Sequence, residues 1–132
     1  RPEFALDIGE QNLKNQKDTK YSTNIHYHLA NGYLSLYGLA ERKTSVEAIP
    51  KSENLQKAKL HFREALKLCE EFNFDFKKQV FVNYGNCLDA LGRGVEALNA
   101  YDNVIKIDKK FSMAIGNRAK ALRFFADISG QY

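Results

Sequence analysis

Three histidines, His26, His28 and His61, are the side chains here best suited to proton transfer or metal binding, and their spacing argues against both. His26 and His28 are two apart, which on a helix puts them on different faces, whereas neighbours on one face are three or four apart. His61 stands beside apolar Phe62, which places its ring toward solvent. All three read as structural or surface histidines. There is no glycine-rich phosphate loop, and no Ser/His/Asp set can be nominated from spacing. Glu70 and Glu71 read as a solvated helix end, not a paired acid site. Cys69 and Cys87 are too few for a disulfide framework and fall in helical patterns, so they read as buried thiols. The expectation is a chain that is not itself an enzyme and holds no metal or cofactor.

The rest of the composition narrows the class further. A chain of 132 residues makes one domain and buries roughly two-thirds of its unfolded surface. Its 44% hydrophobic and 27% charged residues are ordinary for a globular protein. The net charge of +4 comes without any block of five like charges, so nucleic-acid binding is not indicated. No apolar run approaches the ~18 residues that span a membrane and no signal-peptide pattern opens the chain, so a cytoplasmic protein without a membrane partner is expected.

Apolar periodicity supplies the elements. Phe4, Ala5, Ile8 and Leu13 suggest a helix of about three turns, followed by a polar loop over 15–20. A long helix over 21–41 is apolar at Ile25, Leu29, Leu36 and Leu39. After a loop over 43–51, Ser52 is placed to cap a helix that Glu53 favours through the dipole. Its stripe is Leu55, Ala58, Phe62, Ala65, Leu66 and Cys69. Asp75 is placed to cap the next helix, which carries Phe81, Tyr84, Leu88 and Leu91. Gly92 suits a left-handed turn. Ala97, Tyr101, Val104 and Ile105 follow on another stripe, with small Gly85 and Ala97 expected to meet where the two helices cross. From Ser112 a last helix, expected to bury Ile115, Ala119 and Leu122, runs to Ser129-Gly130. The fold class is all-α, with about six helices and no strand.

Residues 78–111 carry a specific resemblance. Counted from Lys78, Phe81 is the first large residue, Tyr84 and Gly85 are seventh and eighth, and Leu88 is eleventh. Gly92 stands at fifteen, Ala97 at twenty, Tyr101 at twenty-four and Asp108 at thirty-one. This unit resembles the tetratricopeptide repeat (TPR), a helix–turn–helix with a period of ~34 residues. Lys109 replaces the family's usual proline and Phe81 its usual tryptophan. Leu29-Ala30-Asn31-Gly32-Tyr33 with Ala58, Phe62 and Ala65 match a unit upstream, and Ser112 opens one downstream. The resemblance implies a right-handed superhelix of antiparallel helix pairs in one TPR-like domain over 1–132. Its repeats would be 20–75 with an insertion at 42–51, 78–111, and an incomplete 112–132, and the chain is expected to be a fragment of a longer one.

In TPR proteins first-helix residues line a concave partner-binding groove. The matching positions here are Tyr27, His28 and Asn31; Asn83, Asn86 and Asp89; and Asn117, Lys120 and Arg123. Asparagine amides both donate and accept, which suits a peptide backbone. Asn31 with Asn83, and Asn86 with Asn117, reproduce the asparagine pattern of members that clamp a terminal carboxylate, while Tyr27 and Met113 stand where that clamp has cations. Between 109 and 126 there are five basic residues (Lys109, Lys110, Arg118, Lys120 and Arg123) and no acidic one, which favours an acidic group. The expected partner is a protein or peptide, acidic in character, or the missing C-terminal part of the same chain. A homodimer through a last helix that exposes Leu122, Phe125 or Ile128 is a further expectation. A second reading comes from Met113-Ala114-Ile115-Gly116-Asn117-Arg118 and the helix through Phe124-Phe125-Ala126. These resemble the TPR segment that precedes bacterial HEPN-type ribonuclease domains, whose Arg–His catalytic pattern is missing because no histidine follows His61. Direct RNA binding ranks last, for want of exposed aromatics between the cations.

Overall fold

Six helices follow one another: α1 (Pro2–Asn15), α2 (Thr19–Ala40), α3 (Glu53–Phe72), α4 (Lys77–Ala90), α5 (Gly94–Ile107) and α6 (Ser112–Ser129). The computed structural model describes residues 2–40 and 52–129, and among these there is no strand. The inserted loop expected at 42–51 lies outside the described residues. So do the side chains of Leu39, Phe124, Phe125 and Ile128.

Each helix packs on the next, with α2 against α3 and α4 against α5 as the closest pairs. The even-numbered helices α2, α4 and α6 also touch in sequence and form one layer. The other layer holds α1, α3 and α5. Two clusters make the core. One joins Leu6, Leu29, Tyr33, Ala58, Phe62, Ala65, Cys69, Val80 and Cys87 across α1 to α4. The other joins Val82, Leu88, Ala97, Tyr101, Val104, Ala114 and Ala121 across α4 to α6.

The expected stripe of α3 is buried at all six positions, because this helix is covered by both α2 and α4. Phe62 illustrates it: wholly buried, its ring lies 6.5 Å from Tyr27 of α2 and 6.2 Å from Tyr84 of α4. Ser52 caps α3 as expected, its Oγ accepting from Leu55 N–H at 3.2 Å. Gly92 has φ +80, the left-handed conformation that ends α4 and turns the chain into α5. The small residue Gly85 does allow a close approach, but Tyr101, not Ala97, fills the space: a Cβ at Gly85 would stand 2.5 Å from that ring.

Two local expectations are corrected. Asp75 does not cap α4; the N-cap is Phe76, with no side-chain cap bond. The turn is organised instead by aromatic stacking of Phe72 on Phe74 and Phe74 on Phe76, with centroids 5.9 and 5.7 Å apart, and by Asn73 in the left-handed region donating to Cys69 O. On α6 the buried residues are Ala114 and Ala121, whereas Ile115, Ala119 and Leu122 are exposed. The reason is rotational. The small-residue face of α6 packs with α4 and α5 in the second cluster, beside Phe111, which leaves the larger apolar residues outward.

Candidate functional site

The layer of α2, α4 and α6 carries a continuous chain of polar side chains. Asn83 on α4 donates from Nδ2 to the Tyr27 hydroxyl on α2 at 2.6 Å. One turn on, Asn86 donates to Asn83 Oδ1 at 3.5 Å. Asn86 Oδ1 in turn accepts from the Tyr101 hydroxyl at 2.7 Å and from Asn117 Nδ2 of α6 at 3.1 Å. Five side chains on four helices are thus tied into one ladder. The spacing explains it, since residues three apart on α4 share a face and can reach left and right to the flanking helices.

Of the nine groove residues expected from the sequence, this ladder brings together Tyr27, Asn83, Asn86 and Asn117. Tyr101, unnamed among them, is the fifth member; its register on α5 was legible, but its place opposite Gly85 and the reach of its hydroxyl were not. Asn31 is half-buried on α2 outside the ladder, while Lys120 and Arg123 are exposed on α6 and form no ion pair among the described residues. Asp89 is exposed at the end of α4, where partial burial raises its carboxyl pKa. His28 turns the other way: it sits against the Tyr27 ring and lines a groove between α1 and α2. Of the basic run, Arg118 is committed to Asp102 at 2.7 Å, and Lys110 N–H bonds the Asp108 carboxylate. Lys120 and Arg123 are therefore the cations of α6 still open to a partner.

A second cluster was missed by sequence reasoning. His61, expected to face solvent, is half-buried, and its Nδ1 lies 2.9 Å from His26 Nδ1. Its Nε2 lies 3.3 Å from Glu10 Oε1, while Tyr33 donates to Glu10 Oε2 at 3.0 Å and stacks on the His61 ring. Four residues from α1, α2 and α3 meet here, separated by up to 51 positions (Glu10 to His61), a distance at which no spacing rule operates. Burial first, and the neighbouring His61 second, hold the His26 pKa below its ordinary 6.5, against Glu64 and Glu10, which raise it.

That shift has a sign for stability. Above pH 6.5 both folded and unfolded chains carry neutral His26; below it the unfolded chain takes up a proton that the folded one resists. The His26 contribution is complete above that pH and is lost as the pH falls toward the lower folded value. His26→Gln is expected to flatten the fall in melting temperature between neutral pH and about pH 5, the range over which an unperturbed histidine titrates. Thermal melts of both proteins across that range check it, and parallel curves would refute it.

The thiols are placed against reactivity. Cys69 and Cys87 are buried and unpaired, and burial raises their pKa to about 11 and about 12, so both stay protonated at neutral pH. Among the described residues no group of three or more His, Cys, Asp or Glu is arranged to hold a metal ion, and no helix is long and apolar enough to cross a membrane. Compared with known proteins, the chain matches no family model, no curated protein and no solved structure.

Proposed function

We propose that this chain is a TPR-type interaction scaffold whose α2–α4–α6 face binds an extended or helical acidic segment of a partner protein. The observation that supports this reading best is the asparagine–tyrosine ladder. Polar groups taken out of water are costly unless satisfied, and here these part-buried groups satisfy one another, which fixes the amides of α4 and α6 in a common register. Fixed amides present a partner with polar groups whose ordering is already complete, so less conformational entropy is lost on binding. Among the described residues Asn117 Oδ1 accepts no hydrogen bond, and Lys120 and Arg123 follow further along the same helix. Arginine in that position can grip a carboxylate through two parallel hydrogen bonds.

Peptides selected from a randomised display library on the wild-type chain test this. They should be rich in Asp and Glu and should bind Lys120→Ala/Arg123→Ala about fivefold more weakly, the effect of losing two exposed charge contacts of up to ~1 kcal/mol each with partial compensation. Binding should also weaken with added salt, since exposed charges are screened over ~8–10 Å at physiological ionic strength. Peptides without acidic enrichment that bind wild type and variant equally would contradict the proposal.

A further inference from the structure

We propose that the chain self-associates head to tail, with the α6 end of one copy docking on the α1 end of the next. The proposal rests on the grooves at the two ends and shares only Lys120 and Arg123 with the polar face, so either reading can fail alone. The two outermost described helices each leave an apolar groove of similar size. At one end, about 430 Å³ opens between α1 and α2, lined by Ala5, Leu6, Gly9, Ile25, Leu29 and Leu36, with Phe4 and Ile8 exposed beside it. At the other, about 460 Å³ opens between α5 and α6, lined by Ile105, Ile115, Ala119 and Leu122 with the Asp102–Arg118 ion pair in its wall.

The layer order says what fits each groove. Inside the molecule, α2 of the even layer packs on both α3 and α4, while α5 of the odd layer packs on α4. By the same rule the α1–α2 groove takes an even-layer helix, and α6, the last described even-layer helix, takes an odd-layer one beside it. A second copy supplies both at once: α6 of one copy enters the α1–α2 groove of the next, whose α1 lies along the α5–α6 groove of the first. Alternation of the layers then continues unbroken across the junction.

Charge supports the same pairing. α1 carries Glu3, Asp7 and Glu10 against Lys14, and its exposed Glu3 and Asp7 adjoin Phe4 and Ile8. α6 carries Lys120 and Arg123, which form no ion pair among the described residues, while Arg118 is neutralised by Asp102. Two α1 ends would oppose acid to acid and two α6 ends base to base. Opposite ends attract, and their hydrophobic patches match. An interface of this kind is heterologous and grows open-ended oligomers.

Sedimentation velocity over a concentration series tests the proposal. Wild type is expected to rise in average mass with concentration and to fall back with added salt. Ile8→Lys and Leu122→Lys alter exposed residues at opposite ends, and each alone should be monomeric. Mixed, they should form a 1:1 dimer and nothing larger, since one good end of each remains. Should circular dichroism show either variant to be unfolded, Arg123→Glu takes its place: alone it should reduce association about two- to fivefold, and pairing with Asp7→Arg should restore it. A wild-type chain that stays monomeric into the millimolar range overturns the proposal. So does a mixture that stays monomeric, or a lone blocked variant that still dimerises.

Discussion

Truncation of Phe62 to alanine is expected to unfold this protein's first core, lowering stability by about 3–5 kcal/mol, the cost of removing a wholly buried phenylalanine that leaves a cavity. For a domain of this size that corresponds to a fall in melting temperature of more than about 10 °C. Phe62 is fully buried and bridges three helices through Tyr27 and Tyr84, so neither neighbour can collapse into the space without leaving its own contacts. Tyr27 is also the acceptor for Asn83, and the loss should propagate to the polar ladder. The control is Leu60, two residues earlier on the same helix and 62% exposed. Leu60→Ala should change stability by less than about 0.5 kcal/mol. Chemical denaturation of the two variants separates them. Equal effects would mean that α3 is rotated from the orientation described.

Gly85→Val is expected to be nearly as damaging. A Cβ at this position would meet three atoms of the Tyr101 ring at 2.5 to 2.9 Å. That ring cannot swing away freely, because it is 2% exposed and its hydroxyl is bound to Asn86. Leaving glycine gains up to ~1 kcal/mol of helix propensity, less for a β-branched residue. Overpacking costs ~1–3 kcal/mol and a stranded buried hydroxyl another ~1–3 kcal/mol, so steric and polar terms win. The expected net loss is about 2–4 kcal/mol. Gly85→Val should also move the side-chain amide resonances of Asn86 and Asn117, which a purely local defect would leave in place. Stability within about 0.5 kcal/mol of wild type would show that α4 and α5 lie further apart than described.

These two sites mark where the sequence was readable. The α3 stripe was legible in full because both flanks of that helix are covered, so burial follows the 3.6-residue period without interruption. Gly85 and Gly92 were legible because a close approach and a left-handed turn each demand a residue without a side chain. The face of α6 was misread for the opposite reason. α5 and α4 cover one side of it only, the small residues Ala114 and Ala121 pack there, and the bulkier Ile115 and Leu122 stay outward, which inverts the rule that the larger apolar residues are the buried ones. The groove asparagines were located by register, but that they bond to one another depends on helix separations that no residue type encodes. The Glu10–His61–His26 cluster was illegible for the same reason: its members are ordinary surface residues until three helices are stacked.

We propose the α2–α4–α6 face as the binding surface. Its most direct test is to titrate an isotopically labelled wild-type chain with an acidic peptide from the display selection and follow the backbone and side-chain amide resonances. The account predicts that the largest shifts fall on Asn31, Asn83, Asn86, Asn117, Lys120 and Arg123, with the α3 and α5 signals nearly still. Shifts concentrated on α3 and α5, with the asparagine side chains unmoved at saturation, would contradict it.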